Sequence, residues 1–368
     1  MSIYSSLKRL LTKHVLTSRK RFFEFNSMMD SRRSIKQFNH KNKTPKLKPT
    51  QIEAAKSYFK SKGYTLNNTY WHRYYTSLNG EFHADYIPDD IFSSIISPRF
   101  NQMRQWPALL DKNLSYILFK DFNQPKRVVQ NINGFYYTNN KVVDEQTAIE
   151  ACNDIQKPLI IKPTIDSGSG KLVTTFTVKD KLTSYKNLTI PQVFKVYKKD
   201  FIVQEFVEQS QALKVLNPSS LNTLRLLTYL RPDGMYVLST LLRIGQPGSQ
   251  TDNFSIGGII IGVDDKGYLQ NNGYTKKGDI LYKTATNVAF EGFQIPNYVS
   301  VVNMVKAMHP IVPYFKFVSW DIGLDNTDSP IFIEFNTYNQ NIDMHQIANG
   351  PLFGKFTDEI LELGLNPY

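Results

Sequence analysis

The sequence predicts an α+β protein with two or three subdomains. Its 368 residues are too many for a single hydrophobic core, and 41% hydrophobic content with 13% aromatics is enough to fold several. Apolar runs at 222–230 and 235–244, separated by Pro232-Asp233-Gly234, predict a β-hairpin. A helix is predicted over 49–63, because the pattern starts at Pro49 and stops at Gly63.

The remaining elements follow from the same signals. Further helices are predicted from Pro88 to a point before Pro98, from near Asp111 within 109–119, and over 145–153, 298–309 and 353–363. Further strands are predicted at 128–129, 135–137, 158–163, 172–178, 200–208, 259–263, 319–322 and 332–336. No internal repeat or low-complexity segment is evident.

Composition excludes several classes of protein. The single cysteine, Cys152, excludes an internal disulfide and a cysteine zinc cluster, and its helical surroundings predict a core residue. No apolar run reaches the roughly 18 residues of a membrane span, and the N-terminus lacks the apolar segment of a signal peptide. The predicted compartment is therefore the cytoplasm.

The net excess of positive charge lies in the N-terminal 62 residues. Residues 1–62 hold 16 Lys and Arg against three acidic residues, whereas the rest of the chain holds 28 against 29. Residues 3–16 form a basic amphipathic pattern, which predicts a helix either on an anionic membrane surface or packed on the protein's own body. Nucleic acid is not expected as a partner, because no recognised binding motif accompanies the charge.

Two acidic strands near the C-terminus predict a metal site. Asp321 interrupts one apolar run, and Glu334 and Asn336 lie two positions apart in the next, on one face of a strand. If the two strands pair across the loop 325–330, the three side chains converge as an all-oxygen site of the kind that Mg²⁺ prefers beside phosphates. The alternative is an edge strand that merely exposes a Glu and an Asn.

Basic residues elsewhere predict contacts with phosphate. Lys162 ends a buried strand, and a Gly/Ser loop with Lys171 at its end follows, where backbone N–H groups can turn toward phosphate oxygens. Arg225 and Arg243 lie inside apolar strands, as phosphate or carboxylate clamps do. The alternatives are a plain hairpin turn, a lysine reaching solvent, and arginines on an exposed face.

The order of these parts resembles the ATP-grasp superfamily. Over residues 105–365 the chain carries Ile-Ile-Lys-Pro with a Gly/Ser loop, Val-Gln-Glu-Phe-Val, Asn-Thr-Leu-Arg, Asp-Asn followed by Gly-Gly, Trp-Asp-Ile, and Ile-Glu-Phe-Asn. More narrowly, it is similar to the branch found with sugar-transfer and capsular polysaccharide genes. The resemblance implies an ATP-grasp fold, in which two α+β lobes grip ATP between antiparallel sheets, here with a basic helical N-terminal extension.

The resemblance also implies a division of the chain into four segments. These are a basic amphipathic extension at 1–48, a helical α/β region at 49–125, a small lobe with the phosphate lid at 126–206, and a large lobe with the magnesium site at 207–368.

Matched position by position, the resemblance implies an ATP site. Lys112 and Lys162 match lysines that hold the α and β phosphates. The lid over the triphosphate matches Asp166, Ser167, Gly168, Ser169, Gly170 and Lys171. The linker whose backbone reads the adenine edge matches Gln204, Glu205, Phe206 and Val207. Family members often carry an acidic residue where this chain has the amide of Gln204.

Further positions complete the implied site. Either Glu208 or Gln211 holds the ribose, and Asn253 lies near the metals. Two Mg²⁺ ions are implied at Asp321, Glu334 and Asn336. The residues expected to act on the transferred group are Arg225, Arg243 and Lys162. The residues expected to read the acceptor are Arg225, Arg243, Asn341, Asp343, His345 and Gln346, the last four being otherwise a loop-to-helix cap.

The implied activity is that of an ATP-dependent carboxylate–amine ligase with an acyl-phosphate intermediate. The expected acceptor is a uronic acid of a surface glycan or its lipid-linked precursor, and the amine is an amino acid or amino sugar. The alternatives are a phosphotransferase to a sugar hydroxyl and a non-catalytic, membrane-associated nucleotide-binding protein. The expected location is the cytoplasm, with residues 1–48 as a contact to the inner face of the membrane.

Overall fold

The computed structural model describes residues 28–165, 172–338 and 340–365. The chain forms two compact units, one of Met1–Asn101 with Tyr338–Tyr368 and one of Gln102–Thr337. The helix predicted at 3–16 and the loop 166–171 lie outside the described residues. The units do not coincide with the four predicted segments, because residues after 337 group with the N-terminal helices, and the predicted boundaries stay predictions.

The first unit is helical. Its N-terminal part contains α1 (28–41), α2 (Pro49–Ser61), α3 (Tyr70–Asn79), α4 (Asp89–Ile91) and α5 (Ser97–Phe100). Its C-terminal part contains α12 (Ile342–Asn349), a 3₁₀ turn (Gly354–Phe356) and α13 (Thr357–Leu365). The core is rich in aromatic side chains, with Phe59, Tyr74, Tyr75 and Tyr86 each at most 1% exposed. α2 confirms the prediction for 49–63.

The helix predicted to end before Pro98 instead continues to Phe100. A π-helical turn, Phe92–Ile96, joins α4 to α5, and the N–H of Ser97 donates to the carbonyl of Phe92. A proline inside an α-helix lacks an N–H and clashes with the carbonyl four residues earlier. The widened turn relieves that conflict, which is why the helical run passes the proline.

The second unit holds two large antiparallel sheets, which confirms the prediction of two lobes built on antiparallel sheets. The small lobe has the strand order β3-β2-β1-β8-β4-β5. These strands are β1 (Arg127–Ile132), β2 (Phe135–Thr138), β3 (Lys141–Val143), β4 (Leu159–Pro163), β5 (Thr174–Phe176) and β8 (Phe201–Glu205). Helices α8 (Glu145–Asn153) and α9 (Ile190–Tyr197) bury Cys152 and Phe194 in a core with Leu159 and Val203. β6 (Val178–Lys179) and β7 (Leu182–Thr183) form a separate pair.

The large lobe is a seven-stranded sheet in the order β13-β12-β11-β10-β9-β14-β15. Its strands are β9 (Thr223–Arg231), β10 (Gly234–Ile244), β11 (Ile259–Val263), β12 (Leu269–Thr275), β13 (Ile280–Leu281), β14 (Phe317–Leu324) and β15 (Pro330–Asn336). Helix α11 (Tyr298–Met308) packs on one face around Trp320, which is fully buried. The β9–β10 hairpin and the β14–β15 pair are both confirmed.

Short helices and a linker complete the second unit. α6 (Trp106–Leu109) and α7 (Lys112–Leu118) precede β1, and α10 (Gln211–Lys214) follows β8. The linker between the lobes is bonded to both sheets, because the N–H of Phe206 donates to Pro158 O at 2.8 Å and that of Ser210 to Leu324 O at 2.9 Å. None of the helices in the described part of the chain is both long and apolar enough to cross a bilayer.

Candidate nucleotide-binding site

Strand β9 places Arg225 on the face of the large sheet opposite its hydrophobic core. Leu224 and Leu226 point into that core, so the alternation of a strand turns Arg225 to the other face. There its Nε and Nη2 donate to Oδ1 and Oδ2 of Asp321 on β14, at 2.8 and 2.7 Å. This two-point contact lies directly across the strands, since Asp321 and Arg225 are paired in register.

A second arginine extends the cluster. Arg243 on β10 donates from Nη1 to Asp321 Oδ2 at 3.1 Å and from Nη2 to Asp252 Oδ1 at 2.6 Å. The hydroxyl of Thr223 donates to the other oxygen of Asp252. The sequence analysis selected Asn253 and missed Asp252. The available signal was that an arginine inside an apolar strand needs a carboxylate partner when it is buried.

The ion-pair network fixes the charges of its members. Burial raises the pKa of Asp321, but Arg225 and Arg243 outweigh it and lower the pKa to about 2. Burial lowers the pKa of Arg243, but Asp252 and Asp321 raise it above its ordinary value. Asp321 is therefore ionised, and carboxylates hold both arginines in place.

Lys112 lies beside the carboxylate of Glu334, and Lys162 is close enough for Glu334 to influence its pKa. Lys112 is the first residue of α7, and its Nζ lies 3.6 Å from Glu334 Oε2. The N–H of Lys112 donates to Thr164 O at 3.2 Å, which ties α7 to the end of β4, where Lys162 is located. Lys162 is 8% exposed, so it does not reach solvent as the alternative interpretation supposed.

The surroundings of Lys162 lower its pKa to about 8. Burial is the main cause and the charge of Lys112 adds to it, while Glu334 acts in the opposite direction. Two cations held together with one carboxylate favour an anionic ligand, because such a ligand restores the charge balance. Lys112, Lys162 and Glu334 thus form a site suited to phosphate.

The three predicted metal ligands lie on one face of the β14–β15 pair. Asp321 is opposite Glu334 in register, and Asn336 is opposite Ser319, two residues before Asp321. Carboxylate and amide oxygens are the ligands that Mg²⁺ prefers, so the set fits that ion. Asp321 would share its oxygens with the arginines, whereas the side chain of Glu334 is 35% exposed. No group of three His, Cys, Asp or Glu suited to a metal occurs among the described residues.

A cavity of about 530 Å³ borders the linker between the lobes. Its wall includes the linker residues 205–209 and the apolar side chains of Leu221 and Ile331. Gln204 immediately precedes this wall; it is 5% exposed, and its buried Oε1 accepts no hydrogen bond from any residue that the structure describes. Charged side chains, among them Lys126 and Lys157, also line the cavity. A cavity of this size, with both apolar and polar groups in its wall and an unsatisfied polar group next to it, can hold a nucleobase.

Of the two residues predicted to hold the ribose, one lines the cavity and the other does not. Glu208 lines the cavity and accepts from Asn326 Nδ2 at 2.9 Å, whereas Gln211, at the start of α10, does not line it. Asn253 accepts from the N–H of Ser255 at 2.8 Å, which makes it the cap of a 3₁₀ turn. The lid residues 166–171 fall outside the described part of the chain. These roles stay predictions.

The four predicted acceptor residues after 338 belong to the helical unit. Asn341 is exposed at the start of α12, Asp343 is 6% exposed, and His345 is fully buried. Gln346 is also fully buried, accepts from Ile87 N at 2.8 Å and donates to Ile87 O at 2.7 Å. Both ends of the Gln346 amide are therefore used to join α12 to residue 87, and the acceptor roles of these four residues stay predictions.

Several solved structures are similar to this chain at low identity. An L-amino acid ligase from Bacillus licheniformis is 13% identical, with a TM-score of 0.41, and the match covers 73% of this chain and 50% of that chain. The ATP-grasp ligase PsnB, solved with minimal precursor, Mg and ADP, is 12% identical, with a TM-score of 0.42 and coverage of 73% and 62%.

A third similar structure is the VanG D-Ala:D-Ser ligase from Enterococcus faecalis. It is 13% identical, with a TM-score of 0.37 and coverage of 70% of this chain and 61% of that chain. This chain thus spans 50 to 62% of the length of these three proteins. No curated protein matches its sequence.

A family comparison covers most of the chain. Residues 92–360 match the family described as sugar-transfer associated ATP-grasp. The match includes both antiparallel sheets and the paired strands that carry Asp321, Glu334 and Asn336. It confirms the resemblance read from the sequence motifs, and it makes ATP with Mg²⁺ the expected ligands. The chain belongs to the sugar-transfer associated ATP-grasp family.

Proposed function

We propose that this protein is an ATP-dependent carboxylate–amine ligase that acts on a uronic acid of a surface glycan or of its precursor. The observation that carries the proposal is that Lys112 on α7 lies 3.6 Å from Glu334 of the large sheet and is bonded through its N–H to the end of β4, the strand of Lys162. Asp321 lies directly across from Glu334 and is held ionised by two arginines. Cations for a triphosphate and oxygens for Mg²⁺ are thus within one cluster.

Each residue has a part that its surroundings support. Lys112 and Lys162 bind the α and β phosphates and orient the chain of phosphoryl groups. Glu334, Asn336 and Asp321 would hold Mg²⁺, which would supply positive charge to neutralise the phosphoryl groups. Arg225 is fixed by its two bonds to Asp321, so its guanidinium needs no reorganisation to stabilise negative charge beside it.

The proposed reaction has two balanced steps. A carboxylate oxygen of the uronic acid attacks the γ phosphorus, and the bond from that phosphorus to the β-phosphate oxygen breaks. ADP leaves, and the uronic acid then carries an acyl phosphate. The nitrogen of an amine then attacks the acyl carbon, phosphate leaves, and the amine gives up a proton to solvent. Positioning and electrostatics supply the catalysis, so no general base among the histidines is required.

The family and the charge distribution support a glycan acceptor. The family is associated with sugar transfer, and a uronic acid supplies the carboxylate that ligation needs. Residues 1–62 carry 16 basic residues against three acidic ones, which suits an anionic lipid-linked acceptor or the inner face of a membrane. The protein would then work in the cytoplasm, close to the membrane. An amino acid or amino sugar would supply the amine.

Trapping with hydroxylamine tests the proposal. The protein is incubated with Mg·ATP, hydroxylamine and uronic-acid oligosaccharides, and the sugar hydroxamate and ADP are measured by mass spectrometry. We expect both products in equal amounts, and neither with Lys162→Met. Mass spectrometry of the surface glycan with and without the protein would identify the added amine.

The other outcomes favour the alternatives. A stable phosphorylated sugar without hydroxamate would indicate a phosphotransferase. If no acceptor elicits ATP turnover although the nucleotide binds, the protein is a nucleotide-binding component rather than an enzyme.

A further inference from the structure

The side chain of Gln204 faces the cleft rather than the core of the small lobe. Phe201 and Val203 on the same strand belong to that core, so Ile202 and Gln204 point to the opposite face. Ile202 is paired in register with Lys162, whose charge is influenced by Lys112 and Glu334 of the phosphate site. Gln204 therefore lies on the face of the small-lobe sheet that bears Lys162 of β4, two residues nearer to the linker than Ile202.

The amide oxygen of Gln204 has no hydrogen-bond donor among the residues that the structure describes. The residue is 5% exposed, and Oε1 is buried without a donor in the described part of the chain. Buried polar groups are nearly always paired, so a ligand that supplies the partner is indicated. The cavity of about 530 Å³ begins at the next residue, Glu205, and continues along the linker.

An amide and a carboxylate select different ligands at such a position. A carboxylate only accepts hydrogen bonds, so it suits the 6-amino group of adenine and repels a 6-keto oxygen. An amide has an accepting oxygen and a donating nitrogen on one planar group, and a half-turn exchanges them. It can therefore pair with either the amino or the keto substituent of a purine.

We infer that Gln204 reads the 6-position of the base and that this site takes 6-keto purine triphosphates as well as ATP. The inference deepens the proposed function and rests on it, because it requires that the cavity and the lysines hold a purine nucleotide. Its particular content is that an amide at this position widens the choice of base, whereas an acidic residue would restrict it.

Inosine triphosphate is the matched probe, because it has a keto oxygen in place of the 6-amino group of ATP, with a hydrogen on N1, and carries no 2-amino group. Binding of Mg·ATP and Mg·ITP is measured by isothermal titration calorimetry for the full chain. For the natural sequence we expect dissociation constants within about tenfold of each other. For Gln204→Glu we expect ATP binding to be kept and ITP binding to fall by about 100-fold, since a keto oxygen then faces a carboxylate.

Two further variants sharpen the test. Gln204→Leu offers no hydrogen bond, so it should weaken both nucleotides to the same extent. Gln270→Glu adds the same charge at an exposed position on β12 and should leave the ratio of the two affinities unchanged.

The outcomes separate this inference from the proposed function. ITP binding at least 100-fold weaker than ATP in the natural sequence overturns the inference and leaves ATP use intact. An unchanged ratio in Gln204→Glu overturns the assignment of Gln204. Absence of binding by either nucleotide overturns the proposed function, and the inference with it.

Discussion

The ion pair between Arg243 and Asp252 should contribute measurably to the stability of the polar cluster on the large sheet. Asp252→Asn keeps the shape of the side chain and removes its charge. The side chains of Arg243 and Asp252 are 12% and 9% exposed, and their contact is 2.6 Å, so solvent screens the pair little. Hydrogen bonds between charged buried groups contribute about 1.5–3 kcal/mol each.

The expected loss of stability in Asp252→Asn depends on the contacts that Arg243 keeps. Removing one partner of a buried pair costs about 3–5 kcal/mol when the other is left alone. Here Arg243 retains Asp321 at 3.1 Å. We therefore expect a loss of about 2–3 kcal/mol, and with a urea m-value of about 3 kcal/mol per M the unfolding midpoint should fall by about 0.7–1 M.

Urea unfolding monitored by tryptophan fluorescence measures the effect, because Trp320 is buried in the same lobe. Asp233→Asn is the matched control, since its contact with Arg231 lies at the surface and its removal should leave the midpoint unchanged. A cycle with Arg243→Met should give a coupling of about 2 kcal/mol. Additive effects, or an Asp252→Asn midpoint equal to that of the natural protein, would refute the reasoning.

The structure makes three further predictions. Burial and Lys112 lower the pKa of Lys162 to about 8, so Mg·ATP affinity should fall by up to tenfold per pH unit above 8, and Lys162→Arg should flatten that profile in calorimetry. Gln346→Ala leaves the N–H of Ile87 unpaired, while the carbonyl of Ile87 keeps the Tyr75 hydroxyl at 3.2 Å, and it should cost about 1–3 kcal/mol in urea unfolding, an interpretation that a loss below about 0.5 kcal/mol would contradict. Burial raises the pKa of Cys152 to about 12, so Ellman's reagent should label no thiol in the native protein and one after denaturation; rapid native labelling would show the site to be open.

Local chemistry explains why much of the fold could be predicted. Pro232-Asp233-Gly234 separates two runs of alternating apolar residues, and β9 and β10 pair across that turn. Asp111 caps α7 by accepting from Asn113 N at 2.8 Å, which is a contact between neighbours in the chain. By contrast, α9 was missed, although Thr189 and Gln192 form a capping box at its start.

The candidate metal site was also predictable in part. Glu334 and Asn336 share a face because a strand has a period of two, and the short loop 325–330 favours pairing with the strand of Asp321. The sequence motifs were enough to identify the family. What could not be predicted was the use of Asp321 by two arginines, or the part played by Asp252.

The sequence by itself determined most of the segments that form strands and the faces they present, although it did not predict β3, β7, β12 or β13. It also determined that lysines, arginines and carboxylates occur in the order of an ATP-grasp protein. Only the tertiary structure decided that Arg225 and Arg243 are tied to Asp321 and Asp252, that Gln346 is used internally on Ile87, and that Gln204 is buried beside the linker cavity. The physical reason is that periodicity and turns act between near neighbours. The partner of a buried polar group is instead set by strand register and loop packing between residues up to 259 positions apart.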